Sequence, residues 1–466
     1  MLNLYRTRSR VTLAATALCA IALVPACSGI RDQLVDPEQP GVIGPTQVAS
    51  ATAADALRKG ALSRLKSATG GGESAWMLGG LITDEWKSGD TFSQRNETDQ
   101  RIIQTNNAQV SGMYVGIQRA RGAARDALNA LRTFIADTVS KQAQMSWVMG
   151  YAEMELAENF CNGIPFGYLN ADGSPNYTDP LTNKDGFTLA LAHLDSAVSL
   201  ATATDTFTTN LLNAIQIARA RVLINLGNFT AAKAAVAGVP TSFQYLQTYS
   251  LTTSDNQVWS LNSSQKRWVV GDSFDTGGII LNAIPFASAG DPRVKVTGTS
   301  LASSLKLAFD NQTQFVSQAI YARSDPQPLA SGIDARLAEA EERLQASDIP
   351  GMMAILNALR TAAGGQKIGV FAVPAMAALP NPANQTAATN LYFREKAFWD
   401  FSRGTRLSDL RRLIRQYGRT QDQVFPNGQW GYKVSGQTYG TDVNFPVTVQ
   451  DEKPNPKWAG CIDRNA

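Results

Sequence analysis

The chain has a single histidine, His193, among 466 residues, and only four cysteines. No Cys or His cluster with metal-ligand spacing exists, so no metal site is expected. A Ser-His-Asp triad would have to use His193, and no nucleophile-elbow glycine pattern supports one. His193 itself lies in "LALAHLDSAVSLA", an apolar helical run in which a packed core residue is expected. Neither a Walker-type loop nor a strand-anchored dinucleotide fingerprint is present, and no cofactor is expected. An excess of one charge is missing too: 42 Lys and Arg stand against 39 Asp and Glu, a formal net charge of +3. A body this close to neutral lacks the broad basic footprint that a general nucleic-acid binder needs.

What is present at the start is a targeting pattern. "MLNLYRTRSR" carries Arg6, Arg8 and Arg10, "VTLAATALCAIALV" is uncharged and apolar, and "PACSGI" brings small residues to Cys27. This predicts a signal peptide over residues 1–26. The apolar run is shorter than the roughly 20 residues of a spanning helix. Val24-Pro25-Ala26-Cys27 resembles the lipobox of bacterial lipoproteins, in which the cysteine is acylated and becomes the new N-terminus. Several acyl chains would anchor a domain firmly, at about 0.8 kcal/mol per buried methylene. Ordinary cleavage with Cys27 left free is the alternative. Loss of residues 1–26 removes three arginines and no acidic residue, which takes the net charge from +3 to 0 (3 − 3). Pro37, Pro40 and Pro45 make 27–45 an extended tether, and 46–466 is expected to be a single extracytoplasmic domain. With Cys19 discarded and Cys27 lipidated, Cys161 and Cys461 either form a disulfide that ties the C-terminal tail to the body or remain two buried thiols.

Helical periodicity dominates residues 46–238. Leu211, Ile215, Ala218, Val222, Leu226 and Phe229 recur at steps of three or four, Gly227-Asn228 supplies a left-handed turn, and "FTAAKAAVAG" starts a second helix that stops at Gly238. Small alanines at the contact make this a helical hairpin of tetratricopeptide type. Another helix is expected from Gln144 to Phe160. A late pair places Ile333, Leu337, Ala340 and Leu344 on one face, with Asp348 as N-cap, Pro350 in the first turn, and an end at Gly364. Irregular spacing argues for unequal hairpins in one domain. Residues 241–330 are rich in Ser, Thr, Asn, Asp and Gly and predict loops with short strands; loops this long in a compact domain are usually functional.

"FCNGIPFG" after a helix, "SAGDPRV" at 288–294, "ARLAEAEERLQASD" with "LNALRTAAGG", and "FREKAFWDFSRGTRLSDLRR" follow one another in the order found in the SusD/RagB outer-membrane lipoproteins, which the chain resembles. One departure is Arg403, which precedes Gly404 where that family often has an acidic residue; it calls a local ion pair into question. The resemblance implies a mainly α fold of tetratricopeptide-like hairpins with long loop excursions and a few short strands. It also implies a lipid-anchored position at the outer membrane facing the exterior, a TonB-dependent barrel of SusC type as partner, and a glycan, glycoconjugate or peptide as cargo. No catalysis is expected. A helical-repeat scaffold that binds other proteins is the rival reading.

"YFREKAFWDFSRGTRLSDLRRLIRQYGR" is the densest basic and aromatic stretch. In an extracytoplasmic protein it reads as a packed helix rather than a phosphate grip, with Arg394, Arg406, Arg411 and Arg412 paired to carboxylates such as Glu395 and Asp409. A glycosidase would need two carboxylates in a cleft; adjacent Asp84 and Glu85 diverge on either a helix or a strand and make a poor pair. Sugars offer C–H faces to aromatic rings and hydroxyls to amides, carboxylates and guanidinium groups. Two clusters carry such groups: Trp86, Phe92, Arg95 and Asn96 beside Asp84, and Trp259 and Trp268 beside Arg267 and Phe274. For each ring, plain loop packing is the alternative. Trp147 and Trp399 lie inside helices and are expected in the core, and Arg293 of "DPR" is either a ligand contact or a structural cap.

Overall fold

Among the described residues the first helix is α1 (Ala51–Gly70), capped by Ser50, whose hydroxyl accepts a hydrogen bond from the Ala53 amide. The computed structural model describes residues 48, 50–135, 138–170, 174–275, 278–297, 306–430, 436–447 and 455–466. The expected leader, Cys27 and the tether lie outside the described residues. After α1 come α2 (Ala75–Leu81), α3 (Ser93–Gln100), α4 (Ala108–Phe134), α5 (Val139–Asn159), α6 (Asn183–Leu200), α7 (Thr206–Asn225) and α8 (Phe229–Val236). Four more follow the loop-rich middle: α9 (Gly332–Gln345), α10 (Ile349–Arg360), α11 (Gln385–Trp399) and α12 (Arg406–Arg415). The fold is mainly helical, and its strands are short.

Helix α1 packs on α4 across the short α2 and α3, and from there each helix leans on the next: α4 on α5, α5 on α6, and on through α7 and α8 to α9 and α10. This is the stack of unequal hairpins that the periodicity predicts. In α7 the stripe Leu211, Ile215, Ala218 and Val222 is buried. Gly227 then turns at φ 79°, and the Asn228 side chain accepts from the Ala231 amide to start α8. At the second hairpin Ser331 and Asp334 form a reciprocal capping box, and Asp348 caps α10 with Pro350 in its first turn. That helix ends at Arg360 rather than Gly364, because Gly364 and Gly365, both at positive φ, are already turning into the strand pair Gln366–Ile368 and Phe371–Val373. Helix α5 is longer than expected, and every residue from Gln142 to Asn159 is buried, Trp147 included. It is a central helix with no wet face, which is why its sequence shows little amphipathic contrast.

The middle region contains loops, a single π-helical turn at Trp259–Ser264, and short antiparallel pairs such as Gln244–Gln247 with Gln327–Ser331 and Trp86–Ser88 with Trp268–Val270. Cys161 and Cys461 are joined as a disulfide, with Cα atoms 5.8 Å apart across a sequence separation of 300. Around it the Cys161 amide donates to the Phe445 carbonyl (2.9 Å) and the Asn162 amide group to Asp463 (2.9 Å), so the C-terminal tail lies against the end of α5.

The arginine-rich stretch is interior, but its partners differ from those expected. Arg412 does meet Asp409 (2.9 Å), and it also forks onto Glu341. Arg406 instead grips Asp84, and Glu395 is taken by Arg293 and Arg360. Arg411 meets no carboxylate among the described residues; it donates to the carbonyls of Ala157 and Glu158 and to Asn183 Oδ1, capping the C-terminal end of α5. Arg394 lies over the Phe398 ring. Arg403 has its ion pair after all, with Asp334 at 2.7 Å and Asp400 at 3.0 Å, partners too far off in sequence, or too close to the turn, to be read as one. Gly404 is required at φ 74°, since a Cβ there would fall inside the Trp76 ring.

Candidate functional site

Helix α4 carries Gly112 and Gly116 one turn apart, and an added Cβ at either would meet nothing within 4 Å. Glycine inside a helix is destabilising by roughly 0.5–1 kcal/mol relative to alanine; Gly60 and Gly122 are equally free of neighbours, and what sets Gly112 and Gly116 apart is their place beside a cavity. They form one wall of a cavity of about 570 Å³, in the range of small-ligand sites. The opposite wall is the C-terminal half of α1 from Ser63 to Gly70 with the following glycines, and the loop Tyr249–Gln257 closes the side. Lys66 spans the floor: its ammonium donates to Ser254 Oγ (2.8 Å) and the Thr248 carbonyl (3.2 Å) and lies 5.4 Å from the Tyr249 ring centroid. Arg64 and Arg119 stand exposed on the two helical walls.

Two side-chain networks frame the groove. On one flank Glu73 of the wall pairs with Arg95, which also binds the buried Asp90 and sits 5.1 Å from the Phe92 ring. Arg267 reaches the same Asp90 (2.7 Å), and its guanidinium lies 5.0 Å from Phe92 and 3.7 Å from Phe309. Phe92 is 48% and Phe309 44% exposed, so these rings, held by cation–π contacts, present an aromatic shelf to solvent. On the other flank Asp255 pairs with Arg323 (2.8 Å), whose guanidinium lies 5.7 Å from the half-buried Trp259 ring.

Of the two clusters read from the sequence, Arg95 pairs with Glu73 of the groove wall and Trp259 lies near Arg323, the partner of the wall's Asp255, but several other members are structural. Trp86 is 0% exposed; it stacks on Phe401 at 5.1 Å and donates to Ser402 Oγ (3.2 Å). Trp268 is 1% exposed in the strand paired with Trp86–Ser88. Both rings are core, with no face left for a ligand. Arg95 is a buried strut, and Asn96 accepts from Ser88 Oγ (2.7 Å). Phe92 and, in part, Trp259 remain accessible. Gly112, Gly116, Arg64, Arg119 and Phe309 were not singled out in the sequence; the only trace was a pair of glycines four apart in an otherwise helix-favouring run.

The other polar residues weighed as chemistry are engaged. Asp84 is held by Arg406 and by the Ile284 amide (2.8 Å). Burial pushes the Glu85 carboxyl up to about 8, against the Ser402 amide that favours its charged form. Glu155 is likewise pushed up to about 7 by burial. His193 is partly exposed rather than core, with Nδ1 2.6 Å from the buried Glu153, which Arg121 also binds (2.8 Å). Arg293 is buried between Asp291 and Glu395, stacked near Phe398 and Trp399, and is a structural tie. Among the described residues no group of three His, Cys, Asp or Glu could hold a metal ion, and no helix is long and apolar enough to cross a membrane.

The sequence matches no protein-family model and no curated protein. Solved structures do match. A surface glycan-binding protein A from Bacteroides uniformis superposes with a TM-score of 0.60 at 13% identity, over 86% of this chain and 96% of that one. A putative sugar-binding protein from Bacteroides vulgatus gives 0.59 at 13% identity, over 90% and 99%. A SusD-like carbohydrate-binding protein, also from Bacteroides vulgatus, gives 0.57 at 12% identity, over 84% and 88%. At such low identity the likeness speaks for the fold: helical hairpins, loop excursions and short strands are arranged here as in the SusD-like proteins, and the chain has the SusD-like fold.

Proposed function

We propose that the protein is a glycan-binding lipoprotein of the SusD type, tethered through Cys27 and residues 27–45 at the outer face of the outer membrane. In this reading the single domain 46–466 captures an oligosaccharide and passes it to a TonB-dependent barrel of SusC type, over which it acts as a lid. The observation that carries the proposal is the groove between α1 and α4, whose wall residue Glu73 pairs with Arg95 beside the exposed Phe92 ring, on a fold shared with proteins described as sugar- and glycan-binding. Rings for C–H faces and a rim of hydroxyls, amides and charges for sugar hydroxyls are what such a ligand requires. The role is binding rather than hydrolysis: Asp84 is committed to Arg406 and Glu85 is sealed in the core.

The test has two parts. Detergent extraction of the lipidated protein from its native membrane should co-purify a large TonB-dependent barrel. A soluble variant without Cys27 should keep its fold and bind on a glycan array, and Gly116→Trp, which fills the groove, should abolish that binding. A membrane-bound protein that brings no barrel and binds no glycan would favour the protein-binding scaffold instead.

A further inference from the structure

The groove's charges do not balance. Its two wall carboxylates are already spoken for: Glu73 by Arg95 and Asp255 by Arg323. Its three cations are not. Lys66 donates only to a hydroxyl and a carbonyl, both neutral, and Arg64 and Arg119 have no hydrogen-bonding or ionic partner among the described residues. Arg64 on α1 and Arg119 on α4 line the same cavity from opposite walls, and Arg119 shares its helix with the two open glycine positions. Two exposed guanidinium groups without partners, on the walls of one concave surface, are suited to forked recognition of planar or tetrahedral oxyanions. From this we infer that the ligand is an acidic oligosaccharide, one whose sugars bear carboxylate or sulfate groups, with Arg64, Lys66 and Arg119 holding the anionic substituents and the aromatic shelf of Phe92 and Phe309 meeting ring faces beyond the cavity.

The inference rests on the glycan-binding reading and specifies it. An acidic peptide would satisfy the same cations, but the shelf rings and the likeness to sugar-binding folds favour a saccharide. Sulfate and carboxylate differ in shape and charge, and separate probes distinguish them.

The experiment is calorimetric titration of the full soluble domain with oligogalacturonate, with a heparin-derived oligosaccharide and with neutral maltohexaose, each at low and moderate salt. One of the two acidic probes is expected to bind, to weaken as salt rises, and to lose about tenfold in affinity in Arg64→Ala or Arg119→Ala, since hydrogen bonds to charged groups are the strong ones. Arg64→Lys should recover part of the loss, and circular dichroism should show unchanged folding, because both arginines are exposed. Binding of the neutral sugar alone, indifferent to either arginine and blocked by Gly116→Trp, would overturn the anionic assignment while leaving the glycan reading intact. Binding of an acidic peptide with no glycan bound on an array would overturn both.

Discussion

Asp84 and Arg406 meet side on, Nε to Oδ1 and Nη2 to Oδ2 both at 2.7 Å, although 322 residues separate them. Both side chains are buried, and the pair locks the turn after α2 to the start of α12. Removing one member of a buried pair leaves the other charge uncompensated, at a cost of about 3–5 kcal/mol. Asp84→Ala should therefore lower the urea midpoint sharply and leave glycan affinity unchanged in the folded fraction. An unaltered midpoint would show the pair to be dispensable.

Trp86 and Phe92 should behave in opposite ways. Trp86→Ala empties a fully buried site against Phe401 and is expected to destabilise by about 3–5 kcal/mol. Phe92→Ala, at an exposed shelf, should change stability by less than about 1 kcal/mol and weaken glycan binding. Thermal melts and titrations on the two variants settle the contrast.

Gly112 and Gly116 are helical, and open space surrounds each. Gly112→Ala with Gly116→Ala should raise stability by about 0.4–1 kcal/mol per site, since alanine narrows the unfolded ensemble and fits without strain. The same double variant should bind glycan less tightly. A stabilised protein with undiminished binding would mean that the glycines do not serve the ligand.

Glu85 supplies a pH signature. Its folded carboxyl titrates near 8, against 4.5 when unperturbed, so between those values the folded chain keeps a proton that the unfolded chain releases. The associated stability is complete below about 4.5 and is lost as pH climbs towards 8. Glu155, pushed up to about 7, acts in the same direction. Glu85→Gln should flatten the fall in melting temperature between pH 5 and pH 8; parallel slopes for parent and variant would refute the assignment.

Cys161 and Cys461 close a long loop, and their removal as Cys161→Ser with Cys461→Ser should cost about 2–5 kcal/mol. Mass spectrometry of the non-reduced protein should find the linked peptides, and free thiols at both positions would count against the bond.

The hairpins were legible because their signals are local: Gly227-Asn228 and Asp348 with Pro350 announce turns within a few residues. Trp86 was misleading for the converse reason. Its polar, turn-rich neighbours look like surface, while the contacts that bury it, Phe401 and Ser402, lie more than 300 residues away. The groove was hidden in the same manner. A glycine in α4 reads as a weakened helix until α1 is placed beside it, and Phe309 reads as a loop residue until Arg267 arrives from another segment. Long-range arginine pairs such as Arg403 with Asp334 leave no periodic trace at all.

The disulfide also decides how the protein would carry tension. A pull applied between the two chain ends passes along the backbone to Cys161, crosses the sulfur bridge and leaves at Cys461, so the segment between them bears no load. Helices α1 and α4 lie within the strained path, whereas the Tyr249–Gln257 loop that closes the groove lies in the shielded ring. The groove thus straddles a mechanical border, with its two helical walls in the loaded part of the chain and its closing loop in the shielded part.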